Sequence, residues 1–238
     1  MSKVKEITKL LAKHRRQISI SNELKNISDE FFEEAPPFGG TLISSAGASL
    51  CVYVGSVSDS MYVPALKRLN IIGIINAAAD QCRFIQKLEC TRDSEWSRVE
   101  FTREWYSENL DVSFSYLPIN AEDNSKYVIS NHFDECHDWA NSIVHKGDRP
   151  PAILIHCIQG MNRSVAIAAA LLVMIEKISL LDAIERIASR RENVLSNKFF
   201  IKQLVEYFSV EAELSDPSLC AAPCEKELFE IGPIVERF

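Results

Sequence analysis

Ala152-Ile-Leu-Ile-His156-Cys157-Ile158-Gln159-Gly160-Met161-Asn162-Arg163-Ser164-Val-Ala-Ile-Ala passes without a break from an apolar strand, through a short polar turn, into an apolar helix. The run at 152–156 suits a strand buried on both faces. The run from Arg163 to about Lys177 is apolar nearly all round, which puts that helix in the middle of the molecule. A turn of this length can wrap one tetrahedral anion: its backbone N–H groups point inward, and the following helix N-terminus adds partial positive charge. Gly160 permits a left-handed backbone, and Arg163 offers a planar fork for two anion oxygens. Ile158, Gln159, Gly160, Met161, Asn162 and Arg163 thus form a candidate phosphate-binding loop. The same donors favour a thiolate at Cys157, making its sulfur a nucleophile at neutral pH. His156 is expected to orient the loop, its imidazole favouring the thiolate further. Ser164 is placed to donate a hydrogen bond to the sulfur when it departs.

Sulfur attacking phosphorus expels an alkoxide or phenoxide, and that oxygen needs a proton. The acid is expected on a loop at the same rim of the sheet, where strand ends gather. Asp123, in Leu117-Pro-Ile-Asn-Ala-Glu-Asp123-Asn-Ser, meets this requirement, with Glu122 its neighbouring alternative.

Outward from this centre, Cys51–Val54, Ile71–Ile75 and Val112–Ile119 read as strands, and Arg98–Arg103 as an edge strand. Pro64–Leu69 reads as a short helix ended by Asn70. Ile129, Phe133, Cys136, Ala140, Ile143 and Val144 mark an amphipathic helix running to about His145. Ser179 is placed to cap a helix over Leu180–Arg191, and Asn197 one running to about Phe208. Near the N-terminus the spacing predicts a helix over 3–16 and a second from Ser21 to about Glu34. Strands alternating with helices predict an α/β fold, a central mixed, mostly parallel sheet flanked by helices. The expected organisation is an N-terminal helical extension over 1–47, a catalytic domain over 48–210 and an acidic tail over 211–238.

The 238 residues carry 26 Lys+Arg against 33 Asp+Glu, a net charge of −7, with 47% hydrophobic residues: a globular composition. Residues 1–20 hold six basic residues and one Glu, whereas 211–238 hold seven acidic and two basic. Nucleic-acid binding is disfavoured, because affinity for phosphate backbones needs a basic face. The longest apolar run, Val165–Ile175, is too short to span a bilayer. Seven cysteines at irregular spacing include no CxxC, and no secretory signal is visible, so a reduced, cytoplasmic location with nuclear entry open is expected.

His156-Cys157-x5-Arg163-Ser164 resembles the signature of the cysteine-dependent protein tyrosine phosphatase superfamily, most closely the dual-specificity phosphatases and their compact VH1-related members. The resemblance covers about residues 50–210. Tyr53-Val-Gly55 with the helix and strand after it resembles that family's opening segment. Tyr116-Leu-Pro-Ile-Asn-Ala-Glu-Asp123 resembles its general-acid loop, and Asn197-x-x-Phe200-x-x-Gln203-Leu204 its closing helix. The resemblance implies a protein tyrosine phosphatase-like fold, a phosphoprotein substrate, a phosphocysteine on Cys157, Asp123 as acid and then base, and no metal or organic cofactor. The chain has no Lys-Asn-Arg-Tyr-like loop of the tyrosine-specific branch, so phosphoserine and phosphothreonine are expected substrates as well. The loop has no lysine, which weakens a phosphoinositide reading. Asn162 before Arg163 also occurs in RNA 5′-triphosphatases of the superfamily, which keeps that activity as an alternative. A catalytically silent phosphate-binding adaptor is another. Residues 13–20, with the pair Arg15-Arg16 before Ile18 and Ile20, are similar to segments by which protein kinases capture partners.

Overall fold

The computed structural model describes residues 2–25, 39–44, 48–82, 102–110, 114–143 and 150–214, the side chains of 16–25 and 210–214 excepted. In chain order the elements are α1 (Lys3–Lys25), β1 (Thr41–Leu42), β2 (Cys51–Gly55), α2 (Val57–Met61), α3 (Val63–Arg68), β3 (Ile71–Asn76), α4 (Ala79–Cys82), α5 (Arg103–Leu110), β4 (Ser115–Pro118), α6 (Phe133–Ile143), β5 (Ala152–His156), α7 (Arg163–Glu176), α8 (Leu180–Ala188) and α9 (Lys198–Leu214). The strands form one sheet in the order β1-β2-β5-β3-β4. β1 is antiparallel to β2, and the other pairings are parallel. This is the mixed, mostly parallel sheet expected.

β5 lies between β2 and β3 and is buried along its length. Its side chains alternate: Ile153 and Ile155 face a large core built with α6, α7, α8 and α9, while Ala152 and Leu154 face a smaller one with Leu66, Tyr106, Leu110 and Phe114. The register pairs Gly55 and Asn76 with His156, and Asn76 with Pro118. The carboxyl ends of four strands therefore reach one rim together. There the Ala77 N–H donates to the His156 carbonyl and the Ile119 N–H to the Asn76 carbonyl, each at 2.8 Å. The chain after β5 leaves from the middle of this rim.

Several expected boundaries move. One helix runs from Lys3 to Lys25, so Ser21 is helix interior and caps nothing. No Gly or Pro interrupts the segment, and a serine costs a helix only tenths of a kcal/mol; residues 26–34 lie outside the described part. Arg103 opens a helix instead of closing a strand, because the Thr102 Oγ1 accepts from the Trp105 N–H at 3.3 Å; residues 98–101 are not described. Among the described residues the β4 ladder covers Ser115–Pro118; residues 112 and 113 are not described. The amphipathic helix begins as a 3-10 turn over Ile129–His132 and is described as far as Ile143; its expected end near His145 lies outside the described residues. α8 stops at Ala188, and the N–H groups of Arg190 and Arg191 close a tight turn on the Ile187 carbonyl. α9 runs past Phe208 to Leu214; of the expected acidic tail, residues 215–238 lie outside the described part. α2 was not predicted; its signal was Ser56-Val-Ser-Asp59, a capping box in which the Asp59 carboxylate accepts from the Ser56 N–H at 2.6 Å.

Ile7 and Leu11 of α1 belong to the large core, and α1 packs on α8 and α9. Among the described residues no helix is long and apolar enough to cross a membrane.

Candidate active site

The turn at 157–162 is held by its carbonyls, each engaged on the outside. Cys157 O accepts from His156 Nδ1 at 3.4 Å. Ile158 O accepts from the Val57 N–H at 3.2 Å, Met161 O from the Leu195 N–H at 2.9 Å and Asn162 O from the Ala166 N–H at 2.8 Å. Gln159 O and Gly160 O both accept from Arg191, at 3.4 Å from Nη2 and 2.7 Å from Nε. Every carbonyl of the turn is thus engaged by the surrounding protein, and the Gly160 N–H donates to Cys157 Sγ at 3.2 Å. Gly160 has φ +69°, and a Cβ there would collide with the Arg191 guanidinium and the Gly55 carbonyl. Only glycine suits this position.

Cys157 is buried at the floor of a cavity of about 240 Å³ lined also by Gln81, Asp123, Gln159, Asn162 and Arg163. Ser164 Oγ lies 3.3 Å from its sulfur. Burial pushes the thiol up, but the Ser164 hydroxyl and N–H, the Arg163 charge and the Gly160 N–H together outweigh it, and the thiol lies below the ordinary cysteine range. Cys82 and Cys136 show the contrast: burial dominates, and they are pushed up to about 11 and about 12.

Arg163, the first residue of α7, is 5% exposed. Its Nη1 donates to Gln81 Oε1 at 2.8 Å and to the Ala121 carbonyl at 3.0 Å. Its Nε is buried and without a partner among the described residues. Arg163 also lines the cavity, and a guanidinium there can bind an anion with two parallel hydrogen bonds.

His156 corrects an expectation. Burial drives its imidazole down to about 4, against a partial offset from the Cys157 carbonyl and Asp59. It is neutral at neutral pH, so the loop gains no charge from it. Beneath the loop lies a positive charge that the sequence reading overlooked. Arg191 also donates from Nη1 to Gly39 O at 2.9 Å and Thr41 Oγ1 at 3.3 Å, and the buried Asp59 accepts from the Gly39 N–H at 2.6 Å.

Asp123 stands exposed at the rim. Its Oδ2 accepts from Asn162 Nδ2 at 2.9 Å and its Oδ1 from Asn197 Nδ2 at 2.8 Å. Glu122 is absent from the cavity wall, its Oε2 accepting from Asn124 Nδ2. Gln81 and Arg191 went unread because their partners lie far away in sequence; for Asn197 only the cap was legible, its Oδ1 accepting from the Phe199 N–H at 3.0 Å.

Comparison with known proteins places this site in a family. Residues 52–210 match the family model of the dual specificity phosphatase catalytic domain. Human dual specificity protein phosphatase 5 is 32% identical over 149 residues, which cover 63% of this chain and 36% of that protein. The match thus spans little more than a third of the relative's length. Among solved structures, the Yvh1 phosphatase domain from Chaetomium thermophilum superposes with a TM-score of 0.54 at 19% identity, covering 75% of this chain and all of that one. The human tyrosine phosphatase-like serine/threonine/tyrosine-interacting protein gives 0.53 at 21%, covering 73% and 97%. Likeness at these identities carries the fold alone.

Proposed function

The chain belongs to the dual specificity phosphatase family, and from that membership and the geometry of its site we propose that it hydrolyses phosphate monoesters on proteins, on tyrosine and on serine or threonine, through a phosphocysteine. The reading is supported by one observation: a sulfur below the ordinary thiol range, the Arg163 guanidinium and the Asp123 carboxyl group share the wall of one small cavity. Cys157 Sγ forms a bond to phosphorus as the P–O bond to the side-chain oxygen breaks, and Asp123 gives that oxygen its proton. Water then attacks phosphorus, Asp123 takes its proton, and the sulfur leaves with Ser164 as hydrogen-bond donor. Arg163 and the loop N–H groups hold the three equatorial oxygens throughout. Ile158, Gln159, Gly160, Met161 and Asn162 contribute through their backbone.

Purified protein is expected to hydrolyse p-nitrophenyl phosphate and phosphopeptides in the presence of a metal chelator. Cys157→Ser abolishes turnover, and Arg163→Ala lowers it on the order of 10³-fold or more. Undiminished turnover in either variant rejects the mechanism.

A silent adaptor on this fold has no use for a tuned nucleophile. The Asn162 side chain is engaged with Asp123 and with the Asn197 N–H just before α9, which favours the protein phosphatase reading, with Asp123 as acid, over an RNA 5′-triphosphatase. The phosphoinositide reading has no lysine in the loop to support it. For residues 13–20 we propose kinase capture by Arg15 and Arg16, and for the chain a cytoplasmic location consistent with a working thiol. Charge reversal at both arginines, followed by binding measurements against candidate kinases, tests the former; unchanged affinity rejects it.

A further inference from the structure

The acid loop, the phosphate loop and the start of α9 are joined through the ends of two asparagine side chains. Asn162 Nδ2 donates to Asp123 Oδ2 at 2.9 Å, while its Oδ1 accepts from Ser196 Oγ and from the Asn197 N–H, both at 3.1 Å. Asn197 Nδ2 donates to Asp123 Oδ1 at 2.8 Å, and reaches the Asn124 carbonyl at 3.4 Å. Asn197 Oδ1 is occupied by the Phe199 N–H at 3.0 Å, the cap of α9. Each amide is therefore oriented by its other end, and the orientation puts an N–H on each Asp123 oxygen.

We propose that Asn162 and Asn197 are positioning residues for Asp123: they hold its carboxyl group over the cavity before substrate arrives, with no separate loop-closing step. The proposal rests on the phosphatase reading above. Its chemistry follows from donor and acceptor inventory. An amide N–H donates and cannot accept a proton, so neither asparagine amide competes for the proton that Asp123 carries. A protonated Asp123 turns its O–H toward the cavity, where the leaving oxygen lies. Once that proton is given up, both amides meet a carboxylate, the form best suited to accept from them and to take a proton from water.

The test is the dependence of kcat/KM on leaving-group acidity across a series of aryl phosphates. In Asn197→Ser, whose hydroxyl still caps α9 but falls short of Asp123, the ratio of the poorest to the best substrate is expected to fall on the order of tenfold. Asn162→Ala is expected to do the same. The double variant loses less than the product of the two, because both amides serve one carboxylate. Loss that is equal for every leaving group, no loss, or fully multiplicative effects overturns the proposal. Should Asn162→Ala fail to fold, Asn197→Ser decides alone. Persistent turnover in Cys157→Ser rejects the phosphatase reading and this proposal with it. If Cys157→Ser is inactive and Asp123→Asn steepens the leaving-group dependence while the asparagine variants do not, the proposal alone fails.

Discussion

His156 shows how burial decides what a side chain contributes. Its pKa falls from 6.5 to about 4 because the ring has left water. The unfolded chain binds a proton between those values and the folded chain does not, so acidification through that window favours unfolding. Stability is expected to drop by up to about 3 kcal/mol between pH 6.5 and pH 4 on this account; chemical denaturation across the range checks it, with His156→Gln flattening the curve. At Cys157 the balance has the opposite sign, because hydrogen bonds and Arg163 outweigh burial. Among the described cysteines, limiting iodoacetamide at neutral pH is expected to label Cys157 ahead of Cys82 and Cys136, as read by peptide mass spectrometry. Asp123→Asn should slow hydrolysis by about 10²–10³-fold for poor leaving groups and far less for good ones; equal slowing means another residue is the acid.

At the scale of elements, the turn at 157–162 is seated on Arg191. One guanidinium ties Gln159 O and Gly160 O to Gly39, Thr41 and the Val54 carbonyl. Removing it frees two consecutive peptides to rotate, and a rotated peptide turns a carbonyl toward the anion. Arg191→Met is accordingly expected to weaken vanadate inhibition by at least about tenfold, and Gly160→Ala, which collides with the same guanidinium, to do likewise. Calorimetric titration with vanadate measures both. Secondary structure was readable where pattern and burial agree: β5 is apolar on both faces, and α7 apolar nearly all round. It missed α5, where the decisive signal was a cap, Thr102 on Trp105, and misread α1, where a serine resembled a cap inside a helix that continues.

The described residues build two unequal cores, one on each face of the sheet, and α1 belongs to the larger. Ile7 and Leu11 are 2% and 8% exposed, so Ile7→Ala or Leu11→Ala should each cost about 2–4 kcal/mol. A shift in urea midpoint without a change in slope would register it; no shift means that α1 is dispensable. The cysteine, the arginine and the turn between them were legible in the sequence because they occupy seven consecutive residues, 157–163, and a short turn between strand and helix allows few geometries. The strand–helix alternation likewise determined the sheet. Only the tertiary structure decided what lies over and under that turn. Asp123 over the cavity, Gln81 beside Arg163, Asn197 on Asp123 and Arg191 beneath Gly160 come from segments 31 to 82 positions apart from their partners. Strand order and helix packing bring such segments together, and local sequence pattern carries no record of that distance. The charge of His156 was hidden for the same reason, since burial belongs to the assembled fold and not to the residue.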